Sequence, residues 1–238
     1  MVGHSYASHV HLTPLLTELV QSLNEQVSRL IAASEIDASG PADPRDELVR
    51  QQLRRASELV RGAATLGSDQ NPSCLGILGR CLLEQLITSL WAIKSLENAE
   101  ALQGAAKAEL AKAFKINLKE GKAKVKNKII GEDVTAEFLE TEQMKNIPKR
   151  KSVEEQAREA DVVDLYTVFY RFMSLETHGH QSVLDEPSAV SSLCEVHLQS
   201  IAAISRAIGQ ACLWWLLHRR RPDNESIRTV LGLNRADS

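Results

Sequence analysis

The chain has 238 residues, a formal charge of −3 at pH 7 and a pI near 6.2. That balance excludes a generally basic protein that coats nucleic acid, so any polyanion site has to be a local patch. Apolar residues make up 43% and charged residues 25%, which excludes a disordered or fibrous chain and leaves enough apolar surface for a sizeable core.

Prolines and caps divide the sequence, and almost every segment between them has helical rather than alternating periodicity. The first helix opens at Thr13-Pro14, with the hydroxyl as cap and the proline in the first turn, and runs to about Ser34. After the loop "EIDASGPADP", Asp43-Pro44 repeats the signal and starts "RDELVRQQLRRASELVRGAATL". The apolar residues of that stretch return at three- and four-residue steps, so one face is buried and one is wet. Asn71-Pro72 begins "SCLGILGRCLLEQLITSLWAIKSL", which is apolar nearly all round and is expected at the centre of the fold. From about 98 to 150 a charged helical excursion is expected, lysine-rich and then acidic. Ser152 and Glu155 form a capping-box pattern, predicted to start one helix running through "VVDLYTVFYRFMSLETH" to Gly179. A last long helix covers "SAVSSLCEVHLQSIAAISRAIGQACLWWLLHRRR", and a short polar tail follows from Pro222 to Ser238. The expected fold is an all-α, single-domain bundle spanning 1–238, with roughly six to eight helices.

Cys74, Cys81, Cys194 and Cys212 sit in apolar helical runs without a zinc or redox spacing, so they read as core thiols. The N-terminal "MVGHSYASHVHLTPLL" lacks a basic start and apolar run, and the expected location is cytoplasmic. The final helix carries Glu195, His197, Gln199, Arg206 and Gln210, so no membrane span is expected there. Trp214 and Trp215 read as core or dimer contacts.

On a wheel of about 3.6 residues per turn, Asp164, Thr167, Arg171, Ser174 and His178 form one narrow polar sector on an otherwise apolar helix. Arg80, Glu84 and Thr88 make a second stripe on the third helix. Unpaired buried charge costs several kcal/mol, so each stripe faces water or the other stripe. Three readings stay open. In one, Arg80, Glu84 and Arg171 form a buried ion-pair network that fixes helix register. In another, Glu84 pairs an arginine while the leftover Arg and His line a small anion-accepting cleft. In the third, the stripes are simply exposed on the surface.

The order of "RCLLE", a long variable helical region and "DLYTVFYRFMSLETHGH" resembles an uncharacterised family of bacterial all-helical proteins catalogued as a domain of unknown function. In that family an Arg-x-x-x-Glu helix precedes a Tyr-containing helix ending in Ser-x-x-x-His. Arg80 and Glu84 fit the first element, Tyr166 or Tyr170 the tyrosine, and Ser174 and His178 the last. The resemblance covers roughly residues 71–181 and implies a helical fold with a shared polar site, without an activity.

The Arg171…His178 spacing also resembles that of HEPN helical nucleases and nucleotide-binding proteins of toxin–antitoxin and phage-defence systems, although Phe172 stands where that family usually has a polar residue. This resemblance implies a metal-independent ribonuclease or nucleotide-phosphate enzyme, dimeric, with RNA as substrate and a cognate antitoxin or defence protein as partner. His178 would be acid/base and Arg171 the phosphate clamp, with Ser174 beside them and Arg80, Glu84 and Tyr170 in support. The alternative is a non-catalytic helical binding or assembly protein.

Lys112, Lys115, Lys119, Lys122, Lys124, Lys126 and Lys128 form a basic tract broken only by Glu120. It reads either as a phosphate-contacting surface or as a solvated stretch balanced by the acidic "GEDVTAEFLETEQ" that follows. His178 and His180 lack helper ligands at metal spacing, and no Gly-rich phosphate loop is present, so no metal and no cofactor are expected.

Overall fold

The computed structural model describes residues 12–147, 151–167 and 187–233. Its frame is four long helices: α1 (Pro14–Ser34), α2 (Arg45–Ser68), α3 (Pro72–Lys94) and α9 (Pro187–His218). Between α3 and α9 come α4 (Leu96–Lys119), α5 (Thr135–Leu139), α6 (Glu142–Lys145), α7 (Val153–Glu159) and α8 (Val163–Leu165), and α10 (Asn224–Val230) follows α9. The fold is an all-α bundle, with one isolated antiparallel bridge between Lys126 and Asp133.

Local chemistry sets the helix starts. Thr13 Oγ1 accepts from the N–H of Leu16 at 3.1 Å, and Asn71 Oδ1 accepts from that of Cys74 at 3.1 Å, each with proline behind it. Asp43 acts one residue further from its helix than the pattern predicts: its carboxylate takes the N–H of Arg45 at 2.8 Å and the Arg45 guanidinium as well. Both halves of the Ser152/Glu155 capping box are present.

Long-range hydrogen bonds fix the helix directions. Thr13 Oγ1 donates to Glu195 Oε1 at 2.6 Å, and Ser39 N–H donates to the Leu216 carbonyl at 2.8 Å, so α1 and α9 run parallel. Ser191 Oγ on Gln70 Oε1 sets the start of α3 beside the start of α9. Trp215 Nε1 on Asp46 sets the start of α2 beside the end of α9, so α2 runs against the other three. The core lies between them, with Leu16, Leu23, Leu53, Leu82, Leu86, Leu90, Leu198 and Ile208 fully buried. Gly67 of α2 permits a close approach of α1 and α9, since a Cβ there would stand 2.9 Å from Leu198 Cδ1 and 3.3 Å from Val20 Cγ2.

Four expectations need correction. The Ser152 helix stops at Glu159: Asp161 takes a left-handed φ of 58°, and the N–H of Val162 turns back onto the Ala157 carbonyl at 2.9 Å. The charged excursion is not helical throughout, because after α4 the chain makes turns at Gly121 and Gly131 before α5. The polar tail contains α10, capped by Asp223, with Ile227 fully buried. Cys194 and Cys212 are core thiols, and burial pushes Cys212 up to about 12, but Cys74 is only half-buried and Cys81 is exposed. Two helices, Pro72–Lys94 and Ala189–His218, are long and apolar enough to cross a membrane by length and composition, although 61% of each window is buried in the bundle.

Candidate functional site on helix α3

Arg80 Nε donates to Glu84 Oε1 at 3.2 Å, one helical turn along the same face of α3. Their side chains are 24% and 34% exposed, so the pair sits at the edge of the bundle rather than in its interior. Arg171, the third member of the ion-pair network in the structural reading, lies outside the described residues.

The lower part of the stripe has a different fate. Thr88 Oγ1 donates to Gln156 Oε1 of α7 at 2.8 Å in a buried contact, and Gln156 Nε2 donates back to the Lys151 carbonyl at 3.2 Å. One turn on, Trp91 Nε1 donates to Glu159 Oε2 at 2.6 Å, while Lys151 reaches the same carboxylate at 2.7 Å. The hydrogen bonds from Lys151 and then Trp91 hold the Glu159 carboxyl below its ordinary range. Lys94 closes the series on Asp161 at 2.9 Å, next to the left-handed turn that ends α7. Neither Gln156 nor Glu159 is recognisable as a partner in the sequence. "VEEQARE" shows a cap, and only packing shows which of its polar residues points at α3.

The stripe that runs from Asp164 to His178 is described only at its start. Burial pushes the Asp164 carboxyl up, but the hydrogen bond from Arg228 Nε of α10 at 2.9 Å, the Arg228 charge and backbone N–H groups together leave it lowered. Thr167 Oγ1 donates to the Val163 carbonyl at 3.0 Å. Tyr170, Arg171, Ser174 and His178 lie outside the described residues, as does His180. The chain is described up to Thr167, beyond α7 and α8 at the C-terminal end of α3, and again from Pro187, beside the N-terminal end of α3. Arg80 and Glu84 lie between those two ends.

Acidic neighbours meet much of the lysine tract. Lys112 pairs with Glu109 at 2.8 Å, Lys122 with Glu120 at 2.6 Å and Lys124 with Asp133 at 3.3 Å, and Lys115 donates to the Met144 carbonyl. Lys119, Lys126 and Lys128 have no ion pair among the described residues. Also among the described residues, no group of three or more His, Cys, Asp or Glu side chains is placed to hold a metal ion.

The fold and this face define an all-α bundle whose central helix carries a partly exposed Arg-x-x-x-Glu pair above a polar seam sealed by a short helix. The chain belongs to a family of unknown function, DUF5677, whose model matches residues 46–186. The matched stretch runs from the first turn of α2 to the residue before α9, and so contains Arg80, Glu84, Tyr170, Arg171, Ser174 and His178. No curated protein and no solved structure matches the chain. Membership brings no activity with it and lends no support to the HEPN resemblance.

Proposed function

We propose that the protein is a metal-independent phosphoryl-transfer enzyme acting on RNA or a nucleotide phosphate in the bacterial cytoplasm, in a stress or phage-defence setting. The observation that supports it is the position of the Arg80–Glu84 pair. It is partly exposed on α3, within the same family-matched stretch of sequence that holds Arg171, Ser174 and His178. In this reading His178 takes the proton of a ribose 2′-hydroxyl as that oxygen attacks the adjacent phosphorus. The bond to the 5′-oxygen breaks, a proton is returned to that oxygen, and the products are a 2′,3′-cyclic phosphate and a 5′-hydroxyl. Arg171 stabilises the charge on the phosphorane, while Glu84 holds Arg80 in place to bind the phosphate backbone. A homodimer would bring two such motifs to one cleft, and an antitoxin or defence partner would restrain them.

The test is cleavage of single-stranded RNA by purified protein in EDTA. His178→Ala is expected to lower the rate by about a hundredfold or more, the usual scale for one acid/base group, with unchanged melting. No cleavage across varied RNAs by folded protein, freed of any inhibitory partner, would refute the enzyme.

A second reading, a non-catalytic binding or assembly protein, is favoured by the seam beneath the pair. Thr88, Trp91 and Lys94 are all engaged by α7 or the turn after it, so the C-terminal part of this α3 face is structural. On this reading His178→Ala lowers the melting temperature and there is no activity to lose.

A further inference from the structure

Outside the stretch shared with the family, α1 and α9 enclose a groove of about 460 Å³, within the usual size range of small-molecule sites. Because the two helices run parallel, their residues meet in register and the groove is polarised along its length. Gln26 and Arg29 of α1 lie opposite Arg206 and Gln210 of α9 at one end. Leu30 and Ala33 lie with Leu213 and Leu217 at the other, where His218 also lines the rim. Gly209 keeps the junction open: a Cβ there would stand 3.4 Å from Leu30 Cδ2 and 3.8 Å from Gln26 Nε2, and any longer side chain would fill the space.

We propose that this groove binds a small amphipathic anion, its acidic head between Arg29 and Arg206 and its apolar body along Leu30, Leu213 and Leu217. Charge complementarity selects the head. Arg206 is exposed and has no carboxylate within ion-pair distance among the described residues. Among the described residues Arg29 is held only by Glu25, one turn back at 3.5 Å, with both side chains more than half exposed, an attachment weak enough for a ligand anion to displace. Apolar area selects the body, since Leu217 is 48% exposed at the far end of a groove whose walls are otherwise mostly hydrocarbon. Two wall residues also have unmet polar capacity: Gln210 Oε1 and Trp214 Nε1 are buried without a hydrogen-bond partner among the described residues. Trp214 lies edge-on to His218 with ring centroids 4.8 Å apart, which gives the site its own fluorophore.

The experiment is calorimetric titration of the full chain with dodecanoate below its micellar concentration. Dodecanol serves as the uncharged control and phosphatidylglycerol vesicles as the membrane-borne form of the same chemistry. Saturable one-to-one binding of dodecanoate is expected, with a shift in tryptophan emission that Trp214→Phe removes. Arg206→Glu and Leu217→Glu both change exposed residues and are expected to melt like the parent. The first should weaken binding by about tenfold or more through loss of the charged contact, and the second through loss of the apolar wall. No saturable binding overturns the proposal, as does equal affinity for dodecanol, an unaffected Arg206→Glu variant, or association with vesicles alone. None of these outcomes bears on RNA cleavage, so this site and the α3 site stand or fall separately.

Discussion

Asp46 and Arg219 form an ion pair that joins residues 173 positions apart in the chain. The same Asp46 oxygen accepts the indole N–H of Trp215 at 3.1 Å, and Arg45 lies over the Trp215 ring with its guanidinium 4.2 Å from the centroid. Arg219 also donates to the carbonyls of Ser39 and Pro41, so one side chain ties the α1–α2 loop, the first turn of α2 and the end of α9 together. Asp46→Ala takes the carboxylate from Arg219, which keeps only its two carbonyl contacts, and leaves a buried indole donor unpaired. It is expected to cost about 3 kcal/mol, the low end of the range for breaking a buried pair because Arg219 keeps 20% of its exposure. Denaturant unfolding checks this, and a loss below about 1 kcal/mol would place the pair with ordinary surface contacts.

Thr88 and Gln156 offer a cleaner measurement, since their contact is buried and uncharged. Thr88→Val and Gln156→Leu each leave the other group unsatisfied and should cost roughly 1–3 kcal/mol. The double variant should cost less than the sum of the two, with a coupling of about 0.5–3 kcal/mol in a double-mutant cycle. Strict additivity would show that α7 docks on α3 through its apolar contacts alone.

The Arg80–Glu84 pair should behave differently. With about a quarter and a third of their side chains exposed, Arg80→Ala and Glu84→Ala should each change stability by about 1 kcal/mol or less. If the α3 site handles phosphate, Arg80→Ala should nonetheless lower RNA cleavage or binding markedly. A large loss of stability from either change would return the pair to a structural role.

Glu159 sets a pH dependence with a definite sign. Its folded-state pKa is depressed, first by the hydrogen bond from Lys151 and then by that from Trp91. The stability it contributes is therefore present above the ordinary glutamate range and is lost as pH falls through the folded value. Glu159→Gln should melt below the parent at neutral pH, and the difference should close on acidification through the carboxylate range. A difference that holds constant with pH would show that the charge of Glu159 adds nothing to the α3–α7 contact.

The sequence by itself determined the helical class, the starts of α1, α3 and α7, and the unusual character of α3. These depend on interactions within about four residues: Thr13 on Leu16, Asn71 on Cys74, Ser152 on Glu155. The periodic apolar positions of α2 likewise state which face is buried without stating against what. Arg80 and Glu84 were legible as a stripe because they are one turn apart on a single helix, where spacing alone makes them neighbours. Tertiary structure decided everything that depends on distant partners. Nothing near Asp46 in the chain points to Arg219, and nothing in "VEEQARE" separates Gln156, which seals Thr88, from its solvated neighbours. The end of α7 was also a tertiary decision: an unbroken apolar pattern predicts one helix through Val162, but Asp161 bound to Lys94 and the Ala160 carbonyl bound to Arg221 hold a left-handed turn there. The groove between α1 and α9 belongs to the same class. Its polarity comes from the parallel register of two helices, and Gln26 and Gln210 acquire a shared surface only when the bundle closes.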